Sequence, residues 1–187
     1  MRKMKYVLAG FVLCLLNFAT IARAADPPKT VTESLNRSIS GVEGEFVSAT
    51  EAMPEDKFAF VPTSGEFKGV RNFAQQVKHV AAVNYILGGG ILGEKPPVDT
   101  GEENGPASMQ SKADIVKYLK DSYAYVHKAV ATITDKNVLE PVQSPFGEGK
   151  TTRLGMASIA FGHSFDHYGQ IVVYLRMNGI IPPASRQ

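Results

Sequence analysis

Apolar residues recur at alternating steps of three and four in four long segments of the chain, a spacing that places them on one face of an α-helix. The first segment runs from Thr30 to just before Pro54. Thr30 with Glu33 three residues later matches the capping-box pattern of a helix start. These observations predict helix one, with a core-facing stripe made of Leu35, Ile39, Val42, Phe46, Ala49 and Met53.

Helix two is predicted from about Val70 to Leu87. Its apolar face carries Phe73, Val77, Val80, Asn84 and Leu87. Three consecutive glycines, Gly88 to Gly90, follow at once and are expected to end the helix. The polar stretch 94–110 is rich in Pro, Gly and Glu, and its length indicates a crossover loop that could form the wall or lid of a site.

Helix three is predicted to start at Ser111, with Asp114 three residues on, and to end before Pro141. Its apolar stripe is Ile115, Leu119, Ser122, Val126, Ala129 and Ile133. After a loop over 141–150, helix four is expected from Thr151 or Thr152 to Asn178-Gly179, where Gly followed by Pro is typical of a helix end. No segment alternates with period two, so we expect no sheet and an all-α four-helix bundle.

The first 24 residues have the pattern of a cleaved signal peptide. Arg2, Lys3 and Lys5 precede an apolar run, and Ala22-Arg23-Ala24 forms a small-x-small cleavage site. The apolar run is shorter than the ~20 residues that span a bilayer, so a membrane anchor is disfavoured. We therefore expect an exported protein, periplasmic or secreted, whose residues 25–187 form one domain with no membrane anchor after cleavage.

Charge and cysteine content narrow the function classes. Four of the 20 basic residues and none of the 18 acidic ones lie in residues 1–24, so the remainder has 16 basic against 18 acidic residues and a net charge of −2. No Lys/Arg cluster remains, so we expect no nucleic-acid partner. The one cysteine, Cys14, lies in the signal, so the mature protein is predicted to lack disulfides and a thiol nucleophile.

Two histidines of helix four are candidate metal ligands. His163 and His167 are four residues apart, which stacks their side chains about 6 Å apart on one face. Such a pair alone often faces solvent. Here, however, the same face is otherwise core-like, and apolar residues on the other side of helix four predict that the helix is mostly buried. A metal would satisfy two imidazoles in such a place.

Neighbouring patterns exclude some familiar chemistries. His163 is not followed by the glutamate that an HExxH zinc protease uses as general base, and there is no GxSxG elbow.

The sequence defines the roles of three other residues near these patterns less closely. Asp166 points about 100° away from His167, so it is expected to support the site or face solvent. His79, within the apolar arc of helix two, is either a third ligand or a core histidine. His127, at the edge of the stripe of helix three, is expected to be an ordinary surface or tautomer-fixed imidazole.

The chain resembles the DinB-like superfamily. The resemblance rests on 77–85 (VKHVAAVNY), on 163–170 (HSFDHYGQ) and on the tail 174–183 (YLRMNGIIPP), and it covers essentially the whole mature chain. It implies a four-helix bundle with a three-His metal site whose ligands are His79, His163 and His167. The ion in such proteins is commonly zinc or nickel. Some relatives are thiol-dependent transferases or isomerases, others are described as metal-dependent hydrolases, and many have no known activity.

Two function classes stay open at this stage. The first is a metal-dependent enzyme, of hydrolase or thiol-transferase type, acting on a small-molecule substrate, with Gln170 and Tyr174 as candidates for orienting substrate or water. Arg153 could pair with a substrate carboxylate or remain a solvated helix-end charge. The second is a non-catalytic metal- or small-ligand-binding module in which the ion cross-links helices two and four. Pairing of two bundles into a homodimer is compatible with either class.

Overall fold

Four helices build the protein, which we describe from a computed structural model covering residues 26–186. The predicted signal peptide, residues 1–24, lies outside the described residues. The helices are α1 (Val31–Ala52), α2 (Phe73–Leu92), α3 (Lys112–Val130) and α4 (Arg153–Met177). Single-turn 3₁₀ helices occur at Glu55–Lys57 and Pro183–Ser185. Within residues 26–186, no helix is both long and apolar enough to cross a membrane.

The predicted helix starts are confirmed at α1, α3 and α4. The side chains of Thr30, Ser111 and Thr152 each accept a hydrogen bond from the backbone N–H three residues on. These bonds satisfy N–H groups that the first helical turn leaves without partners. The Glu33 side chain does not complete a capping box, because it accepts from the backbone N–H of Lys29 and not from that of Thr30.

The predicted limits of helix two are wrong at both ends. The helix begins at Phe73, where Asn72 and Gln75 form a capping box, and it continues through the three glycines to Leu92. It ends at Gly93, which has a left-handed conformation with φ of 73°. A Cβ on Gly88 would lie 2.7 Å from the Tyr125 ring, and one on Gly89 would lie 2.6 Å from the Glu94 carbonyl oxygen. The glycines therefore permit close packing inside the helix instead of ending it.

The expectation that the protein contains no sheet is also wrong. Strands β1 (Pro141–Gln143) and β2 (Lys150–Thr152) form a small antiparallel hairpin, with Val142 paired to Thr151. Each strand has only three residues, which is too few to show the alternation of apolar and polar residues that predicts a strand. The hairpin leads directly into α4, and it occupies the segment that was expected to be a loop.

The helix stripes meet in one core. α2 packs against α3 and α4, and α1 packs against the same two helices, so the four helices enclose a common interior. All of the predicted stripe residues of α2 and α3 are buried, as are five of the six on α1, Leu35 being partly exposed. The expectation that α4 is mostly buried is wrong on its outer side, where Ile159, Phe165, Val173 and Met177 are between 37% and 50% exposed.

Candidate metal centre

Three histidines converge between α2 and α4. His79 lies in the second turn of α2, and His163 and His167 lie one turn apart on α4. One ring nitrogen from each lies within 4.8 Å of the others, and the Nε2 atoms of His79 and His163 are 3.1 Å apart. Two ligands at the usual zinc–nitrogen distance of about 2.0–2.1 Å in a tetrahedral shell lie roughly 3.3 Å apart. The spacing of His79 and His163 therefore suits one shared cation.

Hydrogen bonds fix the orientation of two of the rings. His79 Nδ1 lies 2.6 Å from the backbone carbonyl oxygen of Glu103, and His167 Nδ1 lies 2.6 Å from Gln76 Oε1. Both oxygens can only accept, so each Nδ1 carries its proton and donates. The Nε2 lone pairs of His79 and His167 are then free for a cation, the arrangement in which metal-binding histidines are usually held.

The hydrogen-bond chain from His167 continues to the surface. The Gln76 amide donates to Gln170 Oε1 at 2.8 Å, and the Gln170 amide donates to Asp166 Oδ2 at 3.2 Å. Each amide accepts with its oxygen and donates with its nitrogen, so the four side chains form a continuous relay. The chain ends on an exposed carboxylate, and it holds the buried His167 ring in one orientation.

The electrostatic surroundings keep the imidazoles neutral. Burial lowers the pKa of His163 to about 3, with additional repulsion from the other two rings and Arg71. Burial, His79 and Arg71 likewise lower the pKa of His167 to about 4. The pKa of His79 is lowered mainly by burial, partly opposed by its hydrogen bond to Glu103. Neutral imidazoles keep the lone pairs that metal binding requires. The donor set, the spacing of His79 and His163, and the charge state thus fit a divalent ion.

The carbonyl that holds His79 belongs to a loop with unusual backbone angles. Glu102 and Glu103 have positive φ values of 50° and 78°, and they lie between Gly101 and Gly105, whose φ values are also positive. A non-glycine residue in this region is typically strained by about 1–3 kcal/mol. The loop belongs to the crossover 94–110, so that segment forms a wall of the site, as its length suggested.

A polar cavity of about 560 Å³ adjoins the histidines. His167, Gln76 and Gln170 form its inner wall. The remaining lining residues come from the segment before α2, from the first turn of α2 and from the crossover loop: Gly69, Val70, Arg71, Gln75 and Asn104. A small molecule in this cavity would lie directly beside His167, one of the three clustered histidines.

Four other residues singled out in the sequence have defined places. Gln170 lines the cavity, whereas the Tyr174 hydroxyl donates to the Arg71 carbonyl at 2.9 Å and the residue is 4% exposed. His127 lies outside the cluster and contacts Asn36 and Glu43, in keeping with an ordinary structural imidazole. Arg153 pairs with Glu140 and donates to the Ile91 carbonyl.

Sequence patterns did not predict that Gln76, Glu103 or Arg71 would belong to the site. Gln76 precedes His79 by three residues, so helical spacing could have placed it on the same face. Glu103 acts through its backbone, which leaves no side-chain signal. Arg71 reaches the site only because the segment before α2 folds against Tyr174.

With the fold and the histidine geometry in place, the protein can be assigned to a class. The model of the DinB superfamily matches residues 39–171, and the chain belongs to that superfamily. The resemblance inferred from the sequence is therefore confirmed. No curated protein matches the chain.

Solved structures of low sequence identity share this fold. One is YfiT from Bacillus subtilis, which is described as a probable metal-dependent hydrolase with an unusual four-helix bundle topology. Its sequence is 15% identical to this chain and its TM-score is 0.59, and the match covers 83% of this chain and 94% of YfiT. A mycothiol-dependent maleylpyruvate isomerase is 13% identical with a TM-score of 0.57, covering 75% of this chain and 60% of the isomerase.

One expectation about partners is corrected by a third structure. The colibactin self-resistance protein ClbS was crystallised in complex with a dsDNA, and it is 12% identical with a TM-score of 0.58, covering 81% of this chain and 98% of ClbS. A protein of this fold can therefore bind DNA. The exclusion of a nucleic-acid partner from the lack of a Lys/Arg cluster is wrong, because linear charge spacing does not report which charges a fold brings together.

Proposed function

We propose that this protein is a metal-dependent enzyme of the hydrolase type that acts on a small-molecule substrate. The observation that carries the proposal is the convergence of three neutral imidazoles, one of which, His167, lines an open polar cavity. A purely structural ion needs no such access. The description of YfiT as a probable metal-dependent hydrolase lends support.

In this proposal His79, His163 and His167 hold one divalent cation, zinc or nickel, since imidazole ligands suit both ions. When bound, such an ion supplies Lewis acidity to the reaction. The chain's own residues contribute orientation: Glu103 and Gln76 hold two of the rings by their Nδ1 protons. Gln170 lines the cavity and can present its amide to a substrate or to water. Tyr174 acts indirectly, by anchoring the backbone of Arg71.

A thiol-dependent transfer or isomerisation is the second candidate. It is favoured by the fold shared with the mycothiol-dependent maleylpyruvate isomerase. In that reaction the same three imidazoles would hold the ion, which would activate the sulfur of a small thiol as a thiolate. The two candidates differ in whether turnover requires an added thiol.

The proposal extends to location. We propose that residues 1–24 direct export and are removed, leaving 25–187 as a periplasmic or secreted domain. The basic start, apolar run and small-residue site support this. Mass measurement of the protein from a periplasmic fraction is expected to give a chain starting at Ala25. A full-length chain in the cytoplasm would contradict export.

Turnover by metal-loaded protein tests the function. Zinc- or nickel-loaded protein, chelator-stripped protein and the His163→Ala variant are compared on esters, amides and thiol acceptors, each with and without a small thiol. The hydrolase proposal predicts thiol-independent turnover that falls to background in the last two samples. Turnover that requires the thiol would favour the second candidate. A loaded protein inactive on every substrate would point to a non-catalytic metal- or ligand-binding module.

A further inference from the structure

Arg71 has an anchored backbone and a largely unengaged side chain. Its carbonyl oxygen accepts the Tyr174 hydroxyl at 2.9 Å, which ties the segment before α2 to α4. Its side chain lines the cavity that also contains His167 and Gln170. The anchor uses only the backbone of Arg71, so the side chain can be changed without removing this contact.

The guanidinium lacks the partners that the other partly buried arginine has. Its hydrogen bond to Asn104 Oδ1 is long, at 3.5 Å, and within residues 26–186 Arg71 forms no ion pair. Arg153, by contrast, pairs with Glu140 at 3.0 Å. Most of the donors of a planar guanidinium, which match a carboxylate in a two-point contact, therefore stay available.

The charges of the residues that line the cavity indicate which chemical class of ligand it can bind. Arg71 is the one charged side chain among the cavity residues of the described chain, since the His167 imidazole is neutral. The others that can bond a ligand are neutral amides: Gln75, Gln76, Asn104 and Gln170. In the metal-free protein, one cation balances one negative charge. A carboxylate fits this balance, whereas a phosphate monoester near two negative charges would leave about one charge uncompensated.

We propose that the cavity binds a carboxylate-bearing small molecule, with the Arg71 guanidinium contacting the carboxylate beside the three-His cluster. A cavity of about 560 Å³ lies within the usual range for small-molecule sites, roughly 300–1,000 Å³. The inference rests on the proposed function for the reaction that follows binding, and it names the substrate class of that site. Binding of the carboxylate itself requires only the chain's own residues.

The probes for the test are monomethyl succinate, which has one carboxylate, its neutral counterpart dimethyl succinate, and inorganic phosphate. Binding is measured by NMR titration of the metal-free protein and repeated after zinc loading. We expect saturable binding of monomethyl succinate in both states, with shifts at Arg71 and Asn104. Dimethyl succinate and phosphate are expected to bind the metal-free protein at least tenfold more weakly.

Three variants locate the binding site. Arg71→Gln is expected to weaken monomethyl succinate binding at least tenfold. Arg71→Lys keeps the charge but loses the two-point contact, and it is expected to weaken binding several-fold. Lys68→Gln is the matched control, because it also removes one positive charge. Lys68 lies three residues before Arg71, and its exposed side chain does not line the cavity. Its affinity is expected to stay within twofold of wild type.

Several results with the metal-free protein would overturn the proposal: no binding of monomethyl succinate by wild type, unchanged affinity in Arg71→Gln, equal affinity for dimethyl succinate, or preference for phosphate. Should Arg71→Gln fail to fold, the Arg71→Lys result decides, and unchanged affinity there would overturn the two-point contact. Because the metal-free protein is used, carboxylate binding without any turnover would leave this inference intact while the proposed function fails.

Discussion

The three imidazoles of the candidate metal centre are held in unequal ways. His79 donates to a backbone carbonyl, and His167 donates to a side-chain amide that is itself part of a relay. His163 Nδ1 is buried and has no hydrogen-bond partner among the described residues. Side-chain substitution can therefore test only one of the two supports directly, namely the amide of Gln76.

We expect Gln76→Leu to lower metal affinity by about 10- to 100-fold, as loss of a supporting hydrogen bond to a ligand typically does. The His167 ring would then lose the acceptor that fixes its Nδ1 proton. Zinc affinity can be measured by competition with a chromophoric chelator. Gln76→Glu keeps an acceptor at the same place, so affinity close to wild type is expected there. Equal affinities in wild type and Gln76→Leu would show that the relay does not support the site.

Much of the candidate ligand set could be predicted from residue spacing and family resemblance. His163 and His167 follow from a four-residue step on one helix. Spacing alone left His79 open between a ligand and a core histidine, and the structure brings it to the other two. The carbonyl of Glu103 and the guanidinium of Arg71 could not be foreseen, because both depend on how irregular segments fold back onto α2 and α4.

At the scale of the helices, the three glycines of α2 show where the prediction of helix ends from sequence patterns fails. Consecutive glycines predict a helix end because each lowers helix stability by about 1 kcal/mol relative to alanine. In α2 close neighbours occupy the space of the missing side chains, and the helix ends only at Gly93. Sequence spacing reported the buried faces of the helices well, but it could not report how closely their backbones approach.

A pair of glycine-to-alanine changes tests this explanation. A Cβ on Gly89 would lie 2.6 Å from the backbone oxygen of Glu94, so Gly89→Ala is expected to destabilise the protein by about 1–3 kcal/mol. Gly44, in the interior of α1, has nothing within 4 Å of such a Cβ, and Gly44→Ala is expected to stabilise by up to about 1 kcal/mol. Urea denaturation measures both. Stabilisation by both changes would refute the packing explanation.

The crossover loop can be tested in the same way. A Cβ on Gly101 would lie 2.2 Å from the Gly105 carbonyl oxygen, so Gly101→Ala is expected to displace the loop and the Glu103 carbonyl. We expect metal affinity to fall about tenfold or more as His79 loses its acceptor. Gly147→Ala is the control, because Gly147 also has a positive φ but no neighbour within 4 Å. A similar loss of affinity in both variants would contradict the role of the loop.

At the scale of the whole molecule, the buried histidines link folding to pH. The pKa values of His163 and His167, about 3 and 4, lie below the value of 6.5 for an exposed imidazole. Between pH 6.5 and about 4 the unfolded chain therefore binds protons that the native chain does not. Stability is fully present above pH 6.5 and is lost as the pH falls, by about 1.4 kcal/mol per pH unit for each such histidine.

Urea denaturation of the chelator-treated protein at pH 7.5, 6.0 and 5.0 measures this loss. The double variant His163→Asn/His167→Asn removes two of the titrating groups, so its stability is expected to depend less on pH across the same range. A wild-type stability that is flat from pH 7.5 to 5.0 would mean that the native rings accept protons freely. That outcome is incompatible with burial as the cause of the lowered pKa values.

The central claim is that His79, His163 and His167 hold one divalent ion, and metal content tests it most directly. Untagged protein is purified beside His79→Ala and His163→Ala, with Lys68→Gln as a control, and bound metals are quantified by mass spectrometry. We predict near-stoichiometric zinc or nickel in wild type and Lys68→Gln, and loss of most of it in both histidine variants. A wild-type protein that stays empty after zinc is added, or histidine variants that keep the metal, would contradict the account.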